Sequence, residues 1–120
     1  MSHAQRVMAF KVFNDSRAPK ISRPSEPDTE AEKAAKNPRG RAAQQLALLD
    51  AWGRHDGLTD LEALTVAAVP EGWRRCSELR AKGLVEATEE TRIGKRNITC
   101  HVSRITARGR ECLQFVELMQ

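Results

Sequence analysis

Residues 69–85 read Val69-Pro70-Glu71-Gly72-Trp73-Arg74-Arg75-Cys76-Ser77-Glu78-Leu79-Arg80-Ala81-Lys82-Gly83-Leu84-Val85. The pattern predicts one short basic helix followed at once by a strand. Pro70 suits a helix entrance, where its missing N–H leaves no bond unmade. Gly83 suits the left-handed residue that closes a helix, and Lys82 lies against the negative end of the dipole. At about 100° per residue, Gly72, Cys76 and Leu79 share one face, while Glu71, Arg74, Ser77 and Glu78 share the other. Arg75 lies near one edge of the apolar stripe and Trp73 near the other, where half-buried packing is expected. A thin apolar stripe with outward donors and acceptors suits the major groove of DNA. An ordinary surface helix with its charges in water accounts for the same pattern.

The segment before this helix is helical too. Arg41 to His55 carries Ala42, Leu46, Leu49 and Gly53 at helical spacing, with Leu48 and Trp52 on the flank and Gly57 as a stop. Trp52 is expected in the core. Thr59-Asp60-Leu61-Glu62 is a capping box opening a helix from Asp60 to about Ala67. It buries Leu61, Leu64 and Ala68 and ends before Pro70. Three helices joined by short connections follow the order of a helix-turn-helix.

Beyond Gly83 the period changes to two. Leu84 to Thr91 and Ile98 to Ile105 read as strands around a basic tip, Arg92-Ile93-Gly94-Lys95-Arg96-Asn97, forming a hairpin. Thr106 caps a last helix from Ala107 to about Met119. Gly109, Cys112, Leu113 and Val116 form its apolar face, widened by Phe115 and Met119. Such a helix closes the core or serves as a homodimer contact.

The first 40 residues read differently. Arg6 to Phe13 alternates as a short strand, with Met8, Phe10 and Val12 on one side. Residues 14–27 are polar and Pro-rich and are expected to be irregular. Asp28 to Lys36 has helix formers but only Ala to bury. Residues 1–40 are therefore expected to be a flexible, basic-leaning arm, and residues 41–120 the folded domain.

Charge is distributed unevenly. Residues 70–110 hold 10 Lys/Arg against 5 Asp/Glu, whereas residues 41–69 hold 2 against 4. The basic excess thus lies on the central helix and the hairpin, as phosphate binding requires. Three Cys and no apolar leader indicate a reducing interior, and no run approaches the roughly 18 apolar residues of a membrane span. A cytoplasmic protein without a membrane partner is expected. Cys76 and Cys112 fall on apolar faces as buried thiols. Cys100-His101 lacks metal-ligand spacing, and no nucleophile, base and orienting group occur together. Neither an enzyme nor a cofactor is expected.

Leu79-Arg80-Ala81-Lys82-Gly83-Leu84-Val85-Glu86 and Ile105-Thr106-Ala107-Arg108-Gly109-Arg110, separated by a hairpin, resemble the winged helix-turn-helix family. The likeness covers residues 41–119 and is to small prokaryotic and phage-encoded proteins, more distantly to the multiple-antibiotic-resistance regulators. It implies a mainly α, α+β fold of three helices, a β-hairpin wing and a C-terminal helix. It also implies a transcription regulator that binds double-stranded DNA through helix 71–82 and wing 92–97. By position, Arg74, Ser77 and Glu78 would read bases. Arg75, Arg80, Arg92, Lys95 and Arg96 would contact the backbone or minor groove. The rival is a winged helix used as a protein–protein adaptor in a replication, repair or phage complex. An adaptor has no need of Arg74, Arg75, Lys95 and Arg96 on one side.

Overall fold

The structure is a computed structural model that describes residues 3–15 and 40–119. The described residues form five α-helices and a two-stranded antiparallel hairpin, an α+β arrangement. In chain order these are α1 (His3–Asp15), α2 (Arg41–Arg54), α3 (Asp60–Ala67), α4 (Trp73–Ala81), β1 (Val85–Ile93), β2 (Thr99–Ile105) and α5 (Ala107–Leu118).

Helix α2 is the centre of the core. Leu46, Leu48, Leu49, Ala51 and Trp52 are all buried, on more than one side of the helix, so it packs against α1, α3, α4 and α5 together. The Trp52 indole N–H donates to the carbonyls of Leu58, at 3.3 Å, and Ser103, at 3.0 Å. The two carbonyls belong to a bridge between residue 58 and β2. The same side chain therefore fills the core and ties the α2–α3 connection to the hairpin.

The local signals in α3 and α5 form as expected. Thr59 accepts from the Glu62 N–H and Glu62 accepts from the Thr59 N–H, completing the capping box. Thr106 caps α5 by accepting from the Gly109 N–H at 3.0 Å. Gly83 has φ +74° and ends the turn after α4, with the Leu84 N–H returning to the Leu79 carbonyl at 3.0 Å.

Three expectations are corrected. The first concerns residues 6–13, read as a strand, which lie in helix α1. Val7 and Phe10 are buried and Val12 is exposed, opposite to the strand pattern at Val12. A lone strand leaves its backbone groups without partners, whereas a helix satisfies them internally and lays Val7 and Phe10 on the core. Arg6 fixes this docking through two 3.1 Å bonds to Asp50 on α2. Phe13 packs on Phe115 with centroids 5.7 Å apart, and the Arg108 guanidinium lies 4.6 Å from the Phe13 centroid. Of the stretch 14–27 expected to be irregular, Asn14 and Asp15 instead complete α1, while residues 16–27 and the helical turns expected at 28–36 lie outside the described residues.

The second correction is to helix 71–82, which spans Trp73–Ala81. Pro70 sits in a turn closed by the Gly72 N–H on the Val69 carbonyl at 3.1 Å, and Gly72 becomes the N-cap residue. A Cβ on Gly72 would stand 2.7 Å from Val69 Cγ1 and 3.0 Å from Leu64 Cδ2, so the glycine lets this turn pack closely against α3. The third is to the wing, expected as a loop at 92–97. Strand β1 runs on to Ile93, and the reversal is a 3₁₀ turn at Lys95–Asn97 between Gly94 and Ile98. The strands pair from Val85↔Ile105 to Ile93↔Thr99, with β1 taking four steps from Ala87 to Thr91 while β2 takes two. The Thr88 hydroxyl covers this bulge by donating to the Val102 carbonyl at 2.7 Å.

Gly109 brings α5 against the exit of α4. A Cβ there would overlap the Leu84 carbonyl oxygen and press on Ile105 Cγ1. In an open helix Gly→Ala is stabilising by about 1 kcal/mol. Gly109→Ala is instead expected to destabilise by about 1–3 kcal/mol, as overpacked sites do. Urea unfolding checks the sign.

Candidate nucleic-acid interface

The residues expected to touch DNA fall into two groups, and the division is made by carboxylates. Arg80, on α4, forms a two-bonded pair with Asp60 of α3 at 2.7 and 2.8 Å and also reaches the Ser103 hydroxyl at 3.3 Å. Asp60 raises the Arg80 pKa above its ordinary value through this hydrogen-bonded pairing. Arg92, on β1, donates to Glu62 Oε1 at 2.6 Å and to Glu90 at 3.4 Å. Arg75 is only 14% exposed and pairs with Glu78 at 3.0 Å. Glu78 also accepts from buried Gln45 at 2.7 Å and lies 3.6 Å from Arg41. Arg75, Glu78, Arg80 and Arg92 are thus engaged within the protein.

The second group faces solvent. Arg74 and Ser77 are exposed on α4, and Lys95 and Arg96 are exposed at the hairpin tip. Among the described residues, Arg74, Lys95 and Arg96 make no ion pair. Arg96 and Asn97 hold left-handed φ values of 61° and 57°, which cost a non-glycine residue of order 1 kcal/mol. The tip keeps that geometry partly through the Gly94 N–H, which donates to the Ile98 carbonyl at 2.7 Å.

The hairpin leans over the start of α4. Trp73 and Arg80 of α4, Asp60 and Leu61 of α3, and Lys95 and Ile98 of the tip line one cleft of about 600 Å³. Lys95 also faces the α3–α4 turn beside Ala68 and Pro70. Trp73 is 51% exposed in the cleft wall and Ile98 is 59% exposed. Sequence reasoning assigned Trp73 to half-buried packing and gave Ile98 to an apolar strand face. Helical angle locates Trp73 at the stripe edge but does not say what stands opposite it. Among the described residues no group of three His, Cys, Asp or Glu is placed to hold a metal ion. No described helix is long and apolar enough to cross a membrane.

Cys76 and Cys112 are fully buried, and burial pushes both thiols up to about 12. They remain protonated and unreactive in the folded protein, while Cys100 is partly exposed. No family model matches the chain, and no curated protein or solved structure matches it.

Two outcomes are expected. Glu62→Gln preserves a capping box and weakens only the part-exposed pair with Arg92, so its cost should stay below about 1 kcal/mol. Glu62→Ala removes both the cap and the pair and should cost about 1–2 kcal/mol. Thermal unfolding of the two variants side by side measures the split. The thiols set a second expectation. A folded pKa above the unfolded value stabilises the fold below the unfolded value and ceases to do so as pH rises. Stability should therefore fall from pH 9 toward pH 12, by up to about 1.4 kcal/mol per pH unit per thiol. Urea titrations at pH 8 and pH 10 check this, with Cys76→Ala and Cys112→Ala each reducing the slope.

Proposed function

We propose that the chain is a winged helix-turn-helix protein that binds double-stranded DNA and regulates transcription, with α4 in the major groove and the hairpin as wing. The observation that carries this reading is the shared cleft of Trp73 and Lys95. It sets the cationic hairpin tip beside the entrance of α4, next to exposed Arg74. Support also comes from the three short helices, the capped α3 and the hairpin entered directly from α4.

Within this reading the ion pairs sort the roles. Arg74 and Ser77 are the α4 residues available to base edges, Arg74 best suited to guanine. Lys95 and Arg96 contact phosphates or the minor groove. Arg75, Arg80 and Arg92 hold the frame and add less to binding, because each already faces a carboxylate. Glu78 is shared between Gln45 and Arg75 and orients the helix more than it reads cytosine. One such unit spans only a few base pairs, so a homodimer belongs to the proposal. Helix α1 covers the Phe115 side of α5, and Leu118 and Met119 are the large apolar residues it leaves exposed for a second copy.

A protein–protein adaptor is the second reading. The exposed indole of Trp73 and the internal neutralisation of Arg75, Arg80 and Arg92 favour it. A gel shift with random duplex at low and moderate salt separates the two, since an adaptor leaves duplex unshifted at both. Lys95→Ala with Arg96→Ala should weaken binding to every duplex and flatten the salt slope by about 1.8, at about 0.9 for each phosphate no longer neutralised. Arg74→Glu should abolish site preference in a selection from random DNA. An unchanged slope removes the tip from the interface, and unchanged site selection removes Arg74 from the reading role.

A further inference from the structure

We propose that the cleft between α4 and the hairpin binds a small, flat, mainly apolar molecule carrying one anionic group, and that its occupant excludes DNA. The second half of the proposal rests on the DNA reading; the first does not. Four features of the cleft lead to this ligand. Its volume of about 600 Å³ falls within the roughly 300–1,000 Å³ of small-molecule sites. Leu61, Trp73 and Ile98 supply its apolar walls from three separate elements. Trp73 and Ile98 are half exposed on the same cleft, and their full burial by a ligand is worth about 2 kcal/mol each. The indole offers a flat face, which favours a planar partner.

Charge fixes the remaining chemistry. The cleft is lined by two cations and one carboxylate, Lys95, Arg80 and Asp60. Arg80 and Asp60 satisfy each other at 2.7 and 2.8 Å. Lys95 has no ion-pair partner among the described residues and remains the one uncompensated charge of the lining. A single anionic group on the ligand complements it. His101 also lines the cleft, and its Nδ1 lies 3.2 Å from the Thr88 carbonyl, which only accepts. Nδ1 is therefore the ring nitrogen that donates to this carbonyl. A protein partner fits less well, because a stable interface uses roughly 20–30 residues a side and the apolar lining here is a few side chains.

Competition with DNA follows from Lys95. The same ammonium would meet either the ligand's anion or a phosphate, and a body lying between Trp73 and Ile98 would hold the tip away from a duplex backbone.

The probe that tests the site is 8-anilinonaphthalene-1-sulfonate, a flat aromatic anion, titrated into the full chain without DNA by fluorescence and calorimetry. The expected result is saturable binding of one molecule per chain. Trp73→Ala and Ile98→Ser should each weaken it by about tenfold or more, a factor worth about 1.4 kcal/mol. Both side chains are half exposed, so circular dichroism of the variants should superimpose on that of the parent. Lys95→Gln should weaken the sulfonate probe and leave neutral N-phenyl-1-naphthylamine unaffected. Val12→Ser, at an exposed apolar residue of α1 outside the cleft, should change neither. Non-saturable binding, insensitivity to both cleft variants, or equal loss with Val12→Ser overturns the site. For the second half, a duplex first shown by gel shift to bind the probe-free chain should release the sulfonate. A complex holding probe and duplex together overturns the exclusion. Failure of the DNA reading appears separately, in the gel shift without probe.

Discussion

Two carboxylates in the first turn of α3 fix the relation between α4 and the hairpin. Asp60 holds Arg80 of α4, and Glu62 holds Arg92 of β1. Neither pair is deeply buried, so neither contributes more than about 1 kcal/mol in isolation. Their importance is geometric. Glu62 Oε1 accepts at once from the Thr59 N–H and from Arg92, so the group that starts the helix also anchors the strand. A shift of α3 along its axis would disturb its cap, α4 and the hairpin together.

This arrangement also determines which cations are left for a partner. The sequence places 10 Lys/Arg between Pro70 and Arg110, and from charge alone this whole stretch looks adhesive to phosphate. Folding assigns Arg75, Arg80, Arg92 and Arg104 to carboxylates. The potential that survives is narrower than the composition implies: among the described residues of this stretch, Arg74, Lys82, Lys95, Arg96 and Arg110 are exposed and without an ion pair, and of these Arg74 and the hairpin tip flank the entrance of α4. Net charge governs long-range attraction, whereas close docking is governed by the unpaired groups.

What was legible in the sequence was local. The Thr59–Glu62 box, the Gly83 exit and the Thr106 cap each depend on residues within four positions of one another, and each formed where expected. The two-strand hairpin and the buried Trp52 were equally readable. Residues 6–13 were not, because a short apolar run satisfies both periods until burial chooses between them. The choice was made by α2 and α5, far away in the chain, through Asp50 and Phe115. The ion pairs that occupy Arg80 and Arg92 span 20 and 30 residues, so no spacing rule reveals them. The cleft was invisible for the same reason. It exists only because the tip folds back toward Trp73.

Under the proposed DNA reading, the few unpaired cations beside the α4 entrance and on the hairpin tip constrain how a duplex is held. If Arg74, Lys95 and Arg96 were all to meet phosphates, one chain would release about three counterions' worth of binding, a salt slope near 2.7. That is shallow for a protein relying on the backbone alone, since roughly six to ten neutralised phosphates are typical of strongly salt-dependent binders. Affinity must then come from base contacts along α4 or from a second chain doubling the footprint. Base contacts are limited by the short exposed face that Arg74 and Ser77 provide on a nine-residue helix. A second chain is limited by α1, which already occupies one flank of α5; the exposed residues along the rest of the helix include Arg110, Glu111, Gln114 and Glu117, and its large exposed apolar residues lie at its end, at Leu118 and Met119. Under the same reading, the docking of α1 on the core matters as much as the cations do. It sets how two chains could meet, and so the spacing of any two half-sites they could read.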